Sequence, residues 1–258
     1  MLVNAENIEI PDGEPRRSGN SLPINELFYS LQGEGILAGV PTVFVRTSGC
    51  NLRCWFCDSY YTSWEPNHSW MEIEGVVDEV QSHDADHVVL TGGEPLLHEN
   101  SVRLLDELNK SGYHITVETN GTIYRDAPID LVSISPKLAS STPTEKKDPQ
   151  GDGEWASRHE NNRINLEALA SLVDDHEFQL KFVITDRNDM VEIEELLGEI
   201  RAATTSRIAD SAVLLMPEGM TREQLDETRK IVAELAMEYG YRYTPRLHVD
   251  LWNDEPGT

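Results

Sequence analysis

Short runs of β-branched and other apolar residues alternate along the chain with longer segments whose apolar residues recur at helical spacing. The short runs predict six strands, at 42–48, 87–92, 114–119, 130–135, 179–185 and 212–217. The longer segments predict helices at 70–83, 99–111, 161–174, 189–203 and 221–239. Two helix starts have capping-box spacing, at Ser69–Glu72 and Thr221–Gln224. This alternation is typical of an α/β protein with a parallel sheet, either a barrel or an open sheet.

Two stretches depart from the alternation. Residues 1–22 have a turn-rich composition and predict an N-terminal arm, which leaves 23–258 as a single domain. Residues 141–162 are polar and rich in proline, glycine and charge. That composition predicts a loop or insertion lying over one face of the domain.

Residues that can carry chemistry follow the predicted strands directly, at five separate turns. The three cysteines follow the first strand, and the later turns are TGGEP (91–95), ETNG (118–121), SPK (135–137) and MPEG (216–219). The carboxyl ends of parallel strands meet at one edge, where α/β proteins build their sites. The five turns therefore predict one shared site.

The charge of the chain is strongly acidic, with 46 Asp and Glu against 21 Lys and Arg and a formal net charge of −25. Such a field disfavours contact with nucleic acids or anionic membranes, so neither is expected as a partner. The acidic residues are spread along the whole chain, as in proteins adapted to a very salty cytoplasm. A polar N-terminus without a signal peptide, and no apolar run of about 20 residues, predict a cytoplasmic protein.

All three cysteines lie within eight residues, in CNLRCWFC, as Cys50, Cys54 and Cys57. Clustered cysteines in a reducing compartment usually serve metal or redox chemistry. A zinc site needs a fourth ligand, and His68 lies eleven residues beyond the last cysteine. A four-iron–four-sulfur cluster held by three cysteines keeps one iron without a protein ligand and therefore reactive. Zinc completed by a histidine, or ordinary buried cysteines, is the alternative.

The spacing C-x3-C-x2-C, with Phe56 before the last cysteine, resembles the signature of radical S-adenosylmethionine enzymes. The resemblance implies that the open iron of a four-iron–four-sulfur cluster binds S-adenosylmethionine, whose cleavage gives a 5′-deoxyadenosyl radical. LTGGEPLL (90–97) is similar to the GGE motif of these enzymes, and the SPK and MPEG turns match loops that line S-adenosylmethionine. The implied cofactor-binding residues are Gly93, Ser135, Pro136, Lys137, Met216, Pro217, Glu218 and Gly219. The ETNG turn is left out, because Asn-Gly is also an ordinary turn.

A narrower resemblance lies upstream, where FYSLQGEGILAGVPTVFVRTSGCNLRCWFCDS is similar to the opening of 7-carboxy-7-deazaguanine synthases. The match is strong over 26–64, continues through 87–137 and 179–219, and ends at 246–254, without a counterpart for 141–162. It implies conversion of 6-carboxy-5,6,7,8-tetrahydropterin to 7-carboxy-7-deazaguanine and ammonia, toward modified tRNA bases. It also implies an incomplete TIM-like (β/α) barrel of about six parallel strands, a homodimer, and an electron donor such as flavodoxin or ferredoxin.

The same resemblance assigns further site residues. Contacts to the pterin are implied for Leu31, Gln32, Gly33 and Thr91, and Arg46 would form a two-point contact with the substrate carboxylate. Ser59 would ligate Mg²⁺ where the family typically has threonine, with Asp58 as the alternative ligand or a residue that orients it. His248 is interpreted as a structural histidine. A glycyl-radical-enzyme activase and a noncatalytic iron–sulfur or zinc module are the alternative functions.

Overall fold

A computed structural model describes residues 3–4, 19–151, 153–253, 255 and 257. Most of the predicted N-terminal arm lies outside the described residues. The strands are β1 (Val3–Asn4), β2 (Ser21–Leu31), β3 (Pro41–Thr47), β4 (Ser69–Glu72), β5 (His87–Gly92), β6 (His114–Thr119), β7 (Leu131–Ile134), β8 (Phe178–Ile184), β9 (Val213–Pro217) and β10 (Arg242–Tyr243). The helices are α1 (Tyr60–Ser63), α2 (Ile73–Gln81), α3 (Asn100–Lys110), α4 (Trp155–Asn162), α5 (Leu166–Asp175), α6 (Asp189–Ala203), α7 (Arg222–Tyr239) and α8 (Leu247–Trp252).

The described strands form one sheet in the order β1-β2-β3-β5-β6-β7-β8-β9-β10. Strand β4 lies outside this order and pairs with β2. The six predicted strands correspond to β3 and β5 through β9, and neighbours among them are parallel. Their Val, Ile and Leu side chains are buried on both faces of the sheet, as expected of parallel strands covered by helices. The predicted fold class, a partial TIM-like barrel that is not closed, is confirmed.

The open side of this partial barrel is bridged by the carboxyl-terminal segment. After β10, the Leu247 N–H donates to the Gly33 carbonyl at 2.8 Å. The Gly35 N–H donates to Thr244 Oγ1 at 2.7 Å. These bonds hold the end of the chain against the loop that follows β2. Among the described helices, none has both the length and the apolar character needed to cross a bilayer.

Strand β2 was not predicted from the sequence, and it begins two residues before the predicted domain start at 23. Its apolar pattern is interrupted by Asn25 and Glu26, which are nevertheless buried. Asn25 donates to the Asn67 carbonyl at 2.7 Å, and Glu26 pairs with Arg46 across the strands. Their burial therefore depends on partners that a local pattern does not contain.

The capping-box prediction at Ser69 is wrong, and the one at Thr221 is confirmed. Residues 69–72 form β4, which pairs with the start of β2, and helix α2 begins only at Ile73. Strand pairing takes the backbone groups that a helix start would have used. At α7, Thr221 Oγ1 accepts from the Gln224 N–H, and Gln224 Oε1 accepts from the Thr221 N–H.

The segment predicted as a polar loop is partly helical. Helix α4 lies at Trp155–Asn162, inside the predicted loop 141–162. The single helix predicted at 161–174 is wrong at its start, because α4 ends at Asn162 and α5 begins only at Leu166. Asn165 caps that start, since its side chain accepts from the Ala168 N–H at 3.2 Å.

Candidate active site

The carboxyl ends of the parallel strands surround a cavity of about 280 Å³. Residues from the cysteine loop and from the turns after β5, β6, β7 and β9 line it, so the expectation of one shared site is met. The sequence-predicted residues in its wall are Leu31, Gln32, Gly33, Arg46, Cys50, Cys54, Cys57, Ser59, Thr91, Gly93, Ser135, Lys137, Met216, Glu218 and Gly219. Pro136 and Pro217 do not line it; Pro217 instead pairs with Ile184 in the sheet.

Two of the three cysteines accept a hydrogen bond at their sulfur. The Leu52 N–H donates to Cys50 Sγ at 3.4 Å, and the Ser63 hydroxyl donates to Cys57 Sγ at 3.2 Å. Burial raises the pKa of all three thiols, that of Cys54 to about 12, although the Ser141 side chain beside Cys54 partly opposes the effect. The thiolates therefore need a nearby positive charge, which a bound metal supplies.

The donor set fits an iron–sulfur cluster better than a single ion. Among the residues that the structure describes, no group of three or more His, Cys, Asp or Glu side chains is placed to hold one metal ion. A tetrahedral zinc, with Zn–S bonds of about 2.3 Å, would draw its sulfurs to within about 4 Å of each other. The three cysteines instead face a common cavity that extends to the other strand ends. A cluster at Cys50, Cys54 and Cys57 would leave one iron facing that cavity.

The paired glycines after β5 pack directly on the chain that enters the cysteine loop. A Cβ on Gly92 would lie 2.0 Å from the Thr47 carbonyl oxygen, and one on Gly93 would lie 2.3 Å from the Gly49 oxygen. The Gly93 N–H also donates to the Thr47 oxygen at 3.1 Å. The close packing of the two backbones therefore requires glycine at both positions. This adds to the reason expected from the sequence, that glycine lets the backbone approach a ligand closely.

The ETNG turn, which was left out of the predicted site, connects the turn after β5 to the cysteine loop. The fully buried Glu94 accepts from the Asn120 N–H at 2.8 Å and from the Thr119 hydroxyl. Asn120 donates to Asn51 Oδ1 at 3.0 Å, directly beside Cys50. Burial raises the pKa of Glu94 to about 7 against the effect of these donors. Glu94 thus serves to join two strand-end turns and does not line the cavity.

A carboxylate that sequence reasoning missed, Glu118, lines the same cavity as the cysteines. Glu118 accepts from Gln32 Nε2 at 3.2 Å and from the Thr91 hydroxyl at 2.9 Å, and all three line the cavity. Glu118 is the first residue of ETNG, so its place after a strand was a usable signal. The three side chains form a surface of amide and carboxylate groups suited to a flat heterocycle with N–H groups at its edge.

Arg46 occupies a polar position between β2 and the cysteine loop. Its Nε donates to Glu26 at 2.7 Å, and its Nη1 donates to Ser59 Oγ at 3.0 Å. Ser59 in turn donates to Asp58 at 3.2 Å. Because Glu26 holds Nε, a two-point contact with a substrate carboxylate has to use the Nη1–Nη2 edge. The structure therefore places Arg46 and Ser59 side by side in the cavity wall.

A charge cluster that was also missed from the sequence lines the cavity, with Arg246 and Lys181 buried and Asp58 exposed. Arg246 donates to Glu34 at 3.0 Å, to Asp58 and to the Gly219 carbonyl, and Lys181 donates to Glu34. Burial alone would raise the pKa of Glu34, but the charges of Lys181, Arg246 and His248 bring it well below its usual range. The cluster joins the loop after β2, the cysteine loop and the turn after β9. Glu34 and Arg246 belong to LQGE and RLHVDLWND, so both lay inside motifs already singled out.

His248, interpreted from the sequence as a structural histidine, lies in the cavity wall. A Cβ on Gly33 would lie 2.0 Å from His248 Nδ1, so the histidine occupies the space that this glycine leaves free. Its Nε2 is 4.0 Å from Glu34 Oε1. His68, the fourth ligand of the alternative zinc site, does not line the cavity.

The partial barrel and its three-cysteine loop define a radical S-adenosylmethionine enzyme. In agreement, the family model of the radical SAM superfamily matches residues 44–154. The chain is 69% identical to the 7-carboxy-7-deazaguanine synthase of Halobacterium salinarum, covering 93% of this chain and 94% of that protein. It is 41% identical to the synthase of Rhodopirellula baltica, covering 100% and 96%. The crystal structure of QueE from Escherichia coli superimposes with a TM-score of 0.64 at 26% identity, covering 90% of this chain and 100% of that chain.

The chain belongs to the 7-carboxy-7-deazaguanine synthase family. A four-iron–four-sulfur cluster, S-adenosylmethionine and Mg²⁺ are the cofactors that go with this membership. The family supports the synthase over the two alternatives, a glycyl-radical-enzyme activase and a noncatalytic module.

Proposed function

We propose that this chain converts 6-carboxy-5,6,7,8-tetrahydropterin into 7-carboxy-7-deazaguanine and ammonia, in the route to 7-deazapurine-modified tRNA bases. Family membership supports this activity. The single structural observation that carries it is the cavity, whose wall combines three thiols with Gln32, Thr91 and Glu118. Loss of ammonia balances the atoms of the conversion, so the reaction needs an electron to begin but no net oxidant.

The cysteine side of the cavity is the proposed cofactor end. Cys50, Cys54 and Cys57 would hold the cluster, and the residues of the GGE, SPK and MPEG turns that line the cavity would hold S-adenosylmethionine. When bound there, the cluster and S-adenosylmethionine would supply the carbon radical that removes a hydrogen atom from the substrate. Lys137 adds a positive charge beside Cys54 that favours the thiolate. Pro136 and Pro217 would act only by shaping the turns, since neither lines the cavity.

The part of the cavity wall formed by Gln32, Thr91 and Glu118 is the proposed pterin end. Glu118 would accept from ring N–H groups, and Gln32 and Thr91 orient its carboxylate. The backbone of Leu31 and Gly33 would complete the ring contacts. Arg46 would bind the substrate carboxylate through its Nη1–Nη2 edge, since its Nε is held by Glu26.

Ser59 is the proposed magnesium ligand, next to the carboxylate that Arg46 would hold. Asp58 is already engaged by Arg246, which favours Ser59 for this role and Asp58 as the residue that orients it. The oxygen of Ser59 is a hard ligand of the kind that Mg²⁺ prefers, and the substrate would supply further oxygens. Lys181 and Arg246, which pair with Glu34, would neutralise this carboxylate beside the substrate.

The electron donor and the oligomeric state are proposed from the radical chemistry and from family membership. A flavodoxin or ferredoxin would supply the electron, and the enzyme would be a homodimer. The three cysteines are unpaired and buried or half-buried, which supports a reducing compartment such as the cytoplasm.

The test is turnover by anaerobically reconstituted protein. With the carboxypterin, S-adenosylmethionine, Mg²⁺ and a reductant, mass spectrometry should find 7-carboxy-7-deazaguanine and ammonia in equal amounts. Cys54→Ala should form no 5′-deoxyadenosine, and Arg46→Ala should form it with little product. A reconstituted wild type that cleaves S-adenosylmethionine but leaves the carboxypterin unchanged would refute the proposed substrate.

A further inference from the structure

The polar segment from Leu138 to Arg163, here called the strap, lies against the cysteine loop. The Trp55 N–H donates to the Ser141 carbonyl at 3.1 Å, and the Trp55 indole N–H donates to the Ser140 carbonyl at 2.7 Å. The Arg53 N–H donates to His159 Nδ1 at 3.0 Å. Arg53 and Trp55 flank Cys54, so the strap holds the backbone amides on both sides of the middle cysteine.

The hydrogen bonds of His159 have one consistent direction. Nδ1 accepts from Arg53, so the proton of the neutral ring resides on Nε2, which donates to Ser141 Oγ at 2.8 Å. His159 is fully buried, and burial lowers its pKa to about 4, in keeping with a neutral ring. The Ser141 hydroxyl then donates its own proton to the Leu138 carbonyl at 2.6 Å, within the strap.

Cation–aromatic contacts fasten the strap on its outer side. The Arg53 guanidinium lies 4.1 Å from the centre of the Trp155 ring, and Arg158 lies 4.4 Å from it. Lys147 lies 4.3 Å from the centre of the Trp55 ring. Such contacts each contribute about 0.5–1 kcal/mol at exposed sites. In a chain with few cations, Arg53 and Lys147 each form a contact that joins the strap to the cysteine loop.

We infer that the strap positions the iron–sulfur cluster, because His159 and Ser141 fix the backbone on both sides of Cys54. The inference rests on the proposed role of the cysteines as cluster ligands. Groups around a metal site orient its ligands, and losing them weakens the hold on the metal. His159 binds the Arg53 amide through Nδ1 and the Ser141 hydroxyl through Nε2, so it joins the strap to the residue before the middle cysteine. His159 and Ser141 are positioning residues, since neither lines the cavity.

The test is the rate at which reconstituted holoenzyme without substrate releases iron to a chelator. His159→Phe keeps the space filled but removes both hydrogen bonds, and Ser141→Ala removes only the hydroxyl. Both variants should release iron several-fold faster than wild type. His159→Asn, which keeps an acceptor near the Nδ1 position, should restore iron retention in part. Glu160→Gln, on the exposed side of the same helix, is the matched control and should behave as wild type.

The outcomes separate this inference from the proposed function. If Ser141→Ala and His159→Phe keep the wild-type iron retention, the inference is wrong while the proposed function stands. If His159→Phe does not fold, Ser141→Ala alone decides, because its backbone contact to Trp55 is unchanged. If the wild type holds no iron and sulfide, the proposed function fails first.

Discussion

Arg246 forms an ion pair with Asp58, which joins the carboxyl-terminal segment to the residue directly after the last cysteine. The guanidinium is only 6% exposed and also binds Glu34 and the Gly219 carbonyl. One side chain thus links the proposed pterin loop, the proposed magnesium loop and a cofactor turn. The geometry of the cavity therefore depends on a residue that need not touch the reacting atoms.

Replacing Arg246 should weaken both fold and activity. Arg246→Lys keeps the charge but cannot reach three partners, because an ammonium lacks the planar fork of a guanidinium. We expect kcat/KM for the carboxypterin to fall at least tenfold, and Arg246→Ala to lower the free energy of unfolding by about 3 kcal/mol. Urea unfolding of the apoprotein and steady-state kinetics measure the two effects. The control Arg187→Lys, at the exposed pair with Glu238, should change stability by less than about 0.5 kcal/mol.

An alanine at Gly93 should displace the cysteine loop. Its Cβ would lie 2.3 Å from the Gly49 carbonyl oxygen, so the two backbones must separate. We expect a loss of about 1–3 kcal/mol in unfolding free energy and poor retention of iron after reconstitution. Gly198→Ala is the matched control, since nothing lies within 4 Å of its Cβ in helix α6. That control should be neutral or more stable. Equal losses in both variants would contradict the account of the paired glycines.

Glu118→Gln tests the pterin end of the cavity. The substitution keeps size but places an NH₂ group opposite Gln32 or Thr91, both of which now donate to this side chain. We expect KM for the carboxypterin to rise at least tenfold, while cleavage of S-adenosylmethionine without substrate continues at the wild-type rate. A variant with unchanged KM would show that Glu118 makes no contact with the substrate.

Acid should destabilise the protein in part through His87. Its ring lies between Thr42 Oγ1 at 2.7 Å and Thr116 Oγ1 at 2.8 Å, and burial, aided by His114, lowers its pKa to about 4. The unfolded chain binds the proton near pH 6.5, so this stabilisation is complete above that pH and is lost as the pH falls toward 4. Urea unfolding of the apoprotein between pH 7 and about pH 4.5 should show a shallower dependence for His87→Gln than for wild type. Identical slopes would contradict this assignment.

Salt should stabilise the protein, because a net charge of −25 repels itself in the folded state. Raising KCl from about 0.1 M to 1 M shortens the screening length from about 10 Å to 3 Å. The thermal midpoint of the apoprotein should therefore rise with KCl. A midpoint that stays constant over this range would argue against adaptation to a salty cytoplasm.

The parallel half of the fold was predictable because its strands are buried on both faces. Continuous apolar runs such as HVVL in β5 carry that information locally. Strand β2 was not predictable in this way, since Glu26 is buried only through its pair with Arg46. The start of β4 carried a helix-capping pattern at Ser69 that strand pairing overrode. Local patterns therefore succeeded where burial was uniform and failed where long-range pairs decided it.

The cysteine side of the site was predictable from spacing, and its supporting residues were not. Arg246 acts through contacts with Glu34 and Asp58, which are more than 180 residues away in the chain. His159 lies in a segment whose composition predicts a loop, yet it is fully buried against Arg53. Polar residues of this kind become significant only when their partners are known.

The most direct measurement is the metal and sulfide content of protein purified and reconstituted without oxygen. Three cysteines that line one cavity and would ligate three irons of a cluster predict about four iron and four sulfide per chain in the wild type. Cys54→Ala should lose this complement and form no 5′-deoxyadenosine. Stoichiometric zinc in the wild type, with neither iron nor sulfide, would contradict the account.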